Sequence, residues 1–343
     1  MRKVKGRSGL PRLGFLGTGW IGLHRMNAIA ASGEAEIAAV ADLSPDAARN
    51  AAQAAPRAVL VHSLDELLDQ DLDGIVIATP SACHAEQAVR SLERGAAVFC
   101  QKPLARTVEE TAEVVAAARQ ADRLLSVDFS YRYTDGVMKV HELITNGELG
   151  DIYSADLVFH NAYGPDKAWF YDPGMAGGGC LMDLGIHLID LALWVFDFPQ
   201  IRSVSSSIFA KGKQLIGLHG TVEDFATVSF QLDNGATVRL ACSWNLPAGR
   251  DAVIESTFYG TKGGASFRNV NGSFYDFTAE RFRGTARETL ASPPDEWGGR
   301  AAVAWARQLR QSPRFDPRAE KLVDVALALD TAYGRQPIPT LAA

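Results

Sequence analysis

Through the first third of the chain, short apolar runs alternate with amphipathic ones. RLGFLG (12–17), IAAVAD (37–42), GIVIATP (74–80) and AAVFCQKP (96–103) read as strands, with helical spacing of apolar residues between them. That alternation is the pattern of β-α-β units on a parallel sheet. The helix starts are well marked. Ser44-Pro45 is an N-cap followed by proline at the first helical position, and Ser63 with Glu66 and Thr107 with Glu110 are capping boxes. LLSVDFSYRY (124–133) reads as the strand that closes this half.

From about residue 150 the texture changes. IYSADLVFH, RSVSSSIFA, DFATVSFQL, ATVRLACSW, AVIESTFYG and SFYDFTAERF read as longer strands, several with period-two alternation. Asp233-Asn234-Gly235 between two of them is a hairpin signal. The second half is therefore expected to be a large, mostly antiparallel sheet, backed by a helix over 181–196 and by helices near the C-terminus. No repeat or long linker divides the chain.

With 343 residues, two domains are the natural expectation. The net charge of -6 and pI near 5.7 argue against nucleic acid or an anionic membrane as partner. Asp183, His187 and Asp190 interrupt the longest apolar run, so no bilayer span is expected. The basic start, MRKVKGRSGLPR, lacks a following apolar segment and reads as a mobile tail. Cys83, Cys100, Cys180 and Cys242 show no CxxC spacing, which points to a reduced, cytoplasmic setting and no metal.

GTGWIG (Gly17, Thr18, Gly19, Trp20, Ile21, Gly22) fits G-x-G-x-x-G, follows an apolar strand and opens a helical run. Its glycines allow a tight turn and close backbone approach to a pyrophosphate at a helix N-terminus. Asp42 ends the next strand, placed to accept hydrogen bonds from the adenosine ribose. A 2′-phosphate would meet that carboxylate with no cation beside it, so the site reads as NAD rather than NADP. The chain is thus expected to be α/β, with an N-terminal Rossmann dinucleotide-binding domain over 10–127 and a C-terminal α/β domain over 128–343. Two further strand ends fall where ligands bind in such sheets: Thr79, Pro80 and His84 in one, Gln101, Lys102 and Pro103 in the other.

The stretch GGGCLMDLGIHLID (177–190) sets Asp183, His187 and Asp190 at helical spacing inside an apolar run. A helix there stacks all three on one face. The three glycines are expected to bring backbone close to a ligand or cofactor. Asp190, two turns in, reads as structural; a metal held by all three is the sharper alternative, which three ligands on one helix hardly permit. Trp169 reads equally as a platform for a sugar ring or as core. His160 reads as a packing residue.

Together GTGWIG, ATPSACH, QKP and GGGCLMDLGIHLID, in this order over nearly the whole chain, resemble the glucose–fructose oxidoreductase and inositol dehydrogenase family (Gfo/Idh/MocA). The resemblance implies a nicotinamide-dependent oxidoreductase acting on sugars, cyclic polyols or their derivatives, whose large sheet makes homodimers or homotetramers. It places the family's catalytic lysine, aspartate and histidine on Lys102, Asp183 and His187. Arg132, in SYRY, becomes a structural or substrate contact. One departure stands out: the family usually has Glu-Lys-Pro, and this chain has Gln101-Lys102-Pro103. Loss of that carboxylate favours a neutral lysine.

Oxidising an alcohol needs a base for the hydroxyl proton while the hydride leaves for nicotinamide. His187 suits the base, Lys102 the cation at the developing alkoxide, and Asp183 the orienter of a substrate hydroxyl; lysine and histidine can trade roles. Two other functions share these residues. One is an NAD-dependent glycosidase on the same fold, which returns the hydride, and the other is a non-catalytic NAD-binding sensor.

Overall fold

The computed structural model describes residues 9–217 and 220–336. The basic segment 1–8, read above as a tail, lies outside the described residues. Six parallel strands make the first sheet: β1 (Arg12–Leu16), β2 (Glu36–Ala41), β3 (Val59–Val61), β4 (Gly74–Ile77), β5 (Ala97–Cys100) and β6 (Leu125–Val127). Their order is β3-β2-β1-β4-β5-β6, so the chain reverses direction across the sheet between β1 and β4. That switch point opens a crevice beyond the carboxyl ends of the strands. The helix starts form as the sequence dictates. Ser63 and Thr107 accept from the amides of Glu66 and Glu110, and the glutamates reach back to the amides of His62 and Arg106. Strand β6 stops at Val127, and Ser130–Tyr133 is a 3-10 turn rather than the expected continuation of the strand.

The second sheet has nine strands: β7 (Ile152–Asn161), β8 (Ile201–Ala210), β9 (Lys213–Gln214), β10 (Phe225–Leu232), β11 (Thr237–Ser243), β12 (Ala252–Gly260), β13 (Gly263–Asn269), β14 (Phe277–Arg283) and β15 (Ala286–Ala291). The order is β15-β14-β13-β12-β7-β11-β10-β8-β9, with only β7 and β11 parallel. Asp233–Gly235 forms the β10–β11 hairpin, Gly235 supplying the left-handed residue at φ 86°. Alternation along β7, β10 and β11 sends Leu157, Val228, Phe230 and Leu240 to one face. The other face carries polar side chains such as the Asp156–Arg239 pair.

The buried face is covered by the segment over 181–195. Leu181–Gly185 is a π turn that runs into the helix Ile186–Val195, buried all round except at Trp194. The run Pro173–Val195 is 23 residues long and contains an 18-residue window of mean hydropathy 1.4, so by length and composition it could cross a membrane, contrary to the sequence expectation. Here it is a core element, with 89% of that window buried inside the fold. Near its end the chain returns to the first sheet. Helix Arg300–Gln311 sets Trp305 against Phe99, ring centroids 5.6 Å apart, in one core with Leu13, Phe15 and Met26.

Candidate active site

The glycine loop turns directly after β1. Gly17 sits at φ 85°, and a Cβ there would lie 2.6 Å from the Ala78 carbonyl. A Cβ at Gly22 would lie 2.1 Å from the Gly17 carbonyl, which packs the helix onto the turn. Gly19 differs: nothing among the described residues lies within 4 Å of its missing side chain. Protein packing accounts for the outer glycines, whereas the middle one faces the open crevice. Gly19 is also the N-cap of helix Trp20–Ser32 and offers no side chain to the first amides, leaving them for an anion. Asp42 accepts from Thr18 N at 2.5 Å and Ser44 N at 2.7 Å, which fixes its carboxylate at the crevice wall. An open backbone cradle beside the fixed Asp42 carboxylate fits a dinucleotide without a 2′-phosphate.

The crevice has two parts. A cleft of about 650 Å³ runs from Gly19, Ile21 and Asp42 past Thr79 and Pro80 to Lys102 and Asp183. A second cavity of about 760 Å³ holds His187, Tyr131, Asp128 and Trp297. Trp20, Ile21, Gln101 and Lys102 line both, so they form the seam between the two. Trp20 is 66% exposed there. At the β4 end, the Thr79 hydroxyl donates to Gln87. The buried ring of His84 sets its two nitrogens 2.6 Å from the Pro103 carbonyl and 2.7 Å from the Thr79 carbonyl. Burial lowers the His84 pKa, and those carbonyls partly offset the effect. His84 thus ties the β4 end to the Lys102–Pro103 loop.

The glycine run at 177–179 packs tightly against the protein itself, and Gly178 also lines the first cleft. A Cβ on Gly179 would lie 1.9 Å from the Glu223 carbonyl, and one on Gly178 would lie 2.2 Å from the Tyr333 hydroxyl. The buried Glu223 carboxylate accepts from the amides of Gly179 and Leu181 and from the Tyr333 hydroxyl. Burial raises its pKa, and those donors oppose the rise. The π turn follows, and it changes the expected single face. Asp183 turns to Lys102 and to Trp244 Nε1 at 3.1 Å, lining the first cleft. His187 lines the second cavity, its ring 5.0 Å from that of Tyr131. The two residues therefore flank the seam from opposite sides.

Lys102 Nζ donates to Asp183 Oδ1 at 2.6 Å and to the Asp183 carbonyl at 2.7 Å. The expectation of a lysine without a carboxylate neighbour is corrected, because Asp183 supplies one. His187 is buried, and burial, then Lys102 and Arg25, hold its pKa well below 6.5. Its Nδ1 is buried with no partner among the described residues.

Asp190 stands apart. Both its oxygens are taken by Arg132 in a two-pronged ion pair, and Arg132 lies over the rings of Phe129, Trp194 and Phe198. Neither cleft is lined by Arg132, so the geometry favours the structural half of its expected role. Asp183, His187 and Asp190 face three different sets of neighbours and do not converge on one point. Trp169 is half-buried, stacks on Phe170 at 3.8 Å and lines the first cleft. His160 bonds Ser243 and stacks on Phe225, a packing role.

Sequence reading missed Asp128, Trp244, Tyr131 and Glu223. Asp128 had a usable signal: a carboxylate directly after an apolar strand of a parallel sheet, at the end where ligands bind. The others are visible only once the two sheets are placed.

A six-stranded doubly wound sheet with this glycine loop, Asp42 and a lysine–aspartate pair at the crevice defines a dinucleotide-dependent oxidoreductase. Residues 12–129 match the family described as an oxidoreductase family with an NAD-binding Rossmann fold, and residues 137–266 match the GFO/IDH/MocA C-terminal domain. The chain belongs to the GFO/IDH/MocA oxidoreductase family. D-glucoside 3-dehydrogenase of Escherichia coli is 32% identical over 206 residues, 57% of this chain and 58% of that protein. Glucose-6-phosphate 3-dehydrogenase of Bacillus subtilis is 30% identical over 239 residues, 68% of each chain. Among solved structures, GenD2 from gentamicin A biosynthesis, in complex with NAD, superposes with a TM-score of 0.79 at 25% identity, covering 95% of this chain and 94% of that one.

Proposed function

We propose that the protein is an NAD-dependent dehydrogenase acting on a hydroxyl-bearing carbon of a sugar, inositol or related polyol. The observation that carries this reading is the Lys102–Asp183 pair at the seam of the two clefts, with buried His187 on the far side. Relatives named as dehydrogenases of a glucoside and of glucose 6-phosphate support a carbohydrate substrate. Residues 10–127 carry the cofactor. Residues 128–343 face the substrate and, on the polar side of the nine-stranded sheet, pair copies into a homodimer or homotetramer. The four free cysteines accord with a cytoplasmic location.

The loop Gly17–Gly22 and Asp42 would hold the pyrophosphate and adenosine ribose, with Thr79, Pro80 and Gln101 lining the rest of the groove. NAD, when bound, accepts the hydride from the carbinol carbon. His187, kept neutral by burial, takes the hydroxyl proton. Lys102 stabilises negative charge on the same oxygen, and Asp183 fixes Lys102 while Trp244 fixes Asp183. Trp169 stands over the cofactor side of the crevice.

A panel of polyols, aldoses and glycosides with NAD, followed at the nicotinamide absorbance, tests the reading. NADH accumulating in step with oxidised substrate is the expected result. Glycoside cleavage without net NADH reassigns the site to a redox-neutral glycosidase. NAD binding with no turnover of any compound leaves a non-catalytic sensor.

A further inference from the structure

Gln101 is held at the seam of the two clefts by a buried ion pair. Its side-chain nitrogen donates to Asp128 Oδ2, which also accepts from Arg25 Nε at 2.6 Å. Three elements meet here: the end of β5, the end of β6 and helix Trp20–Ser32. The Asp128 side chain is fully buried and that of Arg25 is 7% exposed. The second carboxylate oxygen, Asp128 Oδ1, is buried without a partner among the described residues. Arg25 gives the carboxylate a counter-ion through Oδ2, while the open Oδ1 costs stability.

The pairing fixes the direction of the Gln101 amide. Its NH₂ must face the carboxylate, because turning the group over would set carbonyl oxygen against carboxylate oxygen. The carbonyl Oε1 therefore points away from Asp128, and it has no protein partner among the described residues. Gln101 lines both clefts beside Lys102, so this is a fixed acceptor at the seam.

We propose that Asp128, held by Arg25, is a positioning residue that locks Gln101 Oε1 as the acceptor for a hydroxyl group at the reaction centre. The chemistry is that of a hydroxyl donor, from the nicotinamide ribose or from the substrate. The proposal rests on the dehydrogenase reading for its ligand, but its internal logic is independent of turnover. This corner holds one carboxylate. The chain carries it at 128 and pairs it with an amide at 101. Two carboxylates within hydrogen-bond reach would repel and turn the acceptor geometry over.

The test is a four-protein cycle: the parent, Gln101→Glu, Asp128→Asn and the double variant. NAD affinity is measured by calorimetry, substrate KM and kcat at saturating NAD, and thermal midpoints in parallel. Gln101→Glu alone is expected to weaken ligand binding by about tenfold or more, as two facing carboxylates demand. The double variant exchanges the two groups, so that an amide at position 128 offers its NH₂ to a carboxylate at position 101. It is expected to recover most of that loss. A loss in NAD affinity identifies the cofactor ribose as the hydroxyl donor, and a loss in KM with NAD affinity intact identifies the substrate. Should Asp128→Asn fail to fold, Gln101→Met, which removes the acceptor and keeps the length, must show the same loss. Additive effects in the cycle, a harmless Gln101→Glu or a harmless Gln101→Met each overturn the proposal. Absence of turnover in every protein overturns the dehydrogenase reading, while the calorimetric cycle still decides this one.

Discussion

Lys102 reaches across 81 residues of sequence to hold both the carboxylate and the backbone carbonyl of Asp183. An ammonium has three N–H donors, and these bonds use two. One donor is left for an oxygen arriving at the seam. The pair also joins the first sheet to the helical segment on the second, so each half of the crevice sets the other's geometry.

Asp42 is expected to set the choice of cofactor. Thr18 and Ser44 fix its carboxylate, so it cannot swing away from a 2′-phosphate. NAD is expected to bind at least tenfold tighter than NADP by titration calorimetry, which is only about 1.4 kcal/mol. Asp42→Ser with Leu43→Arg should shift the preference towards NADP. Equal affinities in the parent would remove Asp42 from the ribose site.

The pH dependence turns on His187. Burial holds its folded pKa well below 6.5, so it stays neutral and ready to accept a proton below the usual imidazole range. The acid limb of the kcat profile is therefore expected below pH 6.5 rather than at the value an exposed histidine would give. Stability follows the same sign. The unfolded chain binds this proton more readily, so the contribution is complete above the unfolded pKa and is lost as pH falls through the window beneath 6.5. His84, also depressed by burial, adds to that loss. His187→Asn is expected to lower turnover roughly a hundredfold with little change in NAD affinity, as general-base loss does. An unchanged rate would return the ring to packing.

Arg132 is expected to act on stability alone. Its removal leaves Asp190 buried and unpaired, a loss of about 3–5 kcal/mol that lowers Tm by roughly 6–20 °C. KM of the folded Arg132→Lys variant should match the parent. A large rise in KM would place Arg132 at the substrate after all.

Much of this was legible because local rules and tertiary demands agree. Apolar runs gave β1, β2, β4 and β5, capping residues gave the helix starts, and Asp233–Gly235 gave a hairpin. Strand β13 escaped because Gly263-Gly264 argues against a strand. Those glycines are there for packing, since a Cβ at Gly263 would lie 2.7 Å from the Phe282 carbonyl. Strand β3, three residues long, carries too little pattern to read. At the site, Lys102, Asp183 and His187 could be named from sequence but not placed, because the π turn alters the helical register between the last two. Glu223 gains its meaning only from partners distant in sequence, and Asp128, whose place at a strand end was readable, gains its role from Gln101 and Arg25.

Glu223 offers a stability test of the glycine run. Glu223→Ala would leave the Gly179 and Leu181 amides and the Tyr333 hydroxyl without their acceptor. A loss of about 2–4 kcal/mol is expected in denaturant unfolding, the scale for several buried groups left unpaired. An unaffected midpoint would show that the run does not depend on this carboxylate.

Single-turnover NADH formation by Lys102→Ala, on the best substrate from the panel and with NAD binding measured in the same samples, bears most directly on the catalytic assignment. Losing a preorganised stabiliser of the reacting oxygen is expected to slow the step by about 10²–10³, while NAD affinity stays within a few-fold of the parent. Hydride transfer at the parent's rate would contradict the role given to Lys102, and with it the reading of the Lys102–Asp183 pair as the reaction centre.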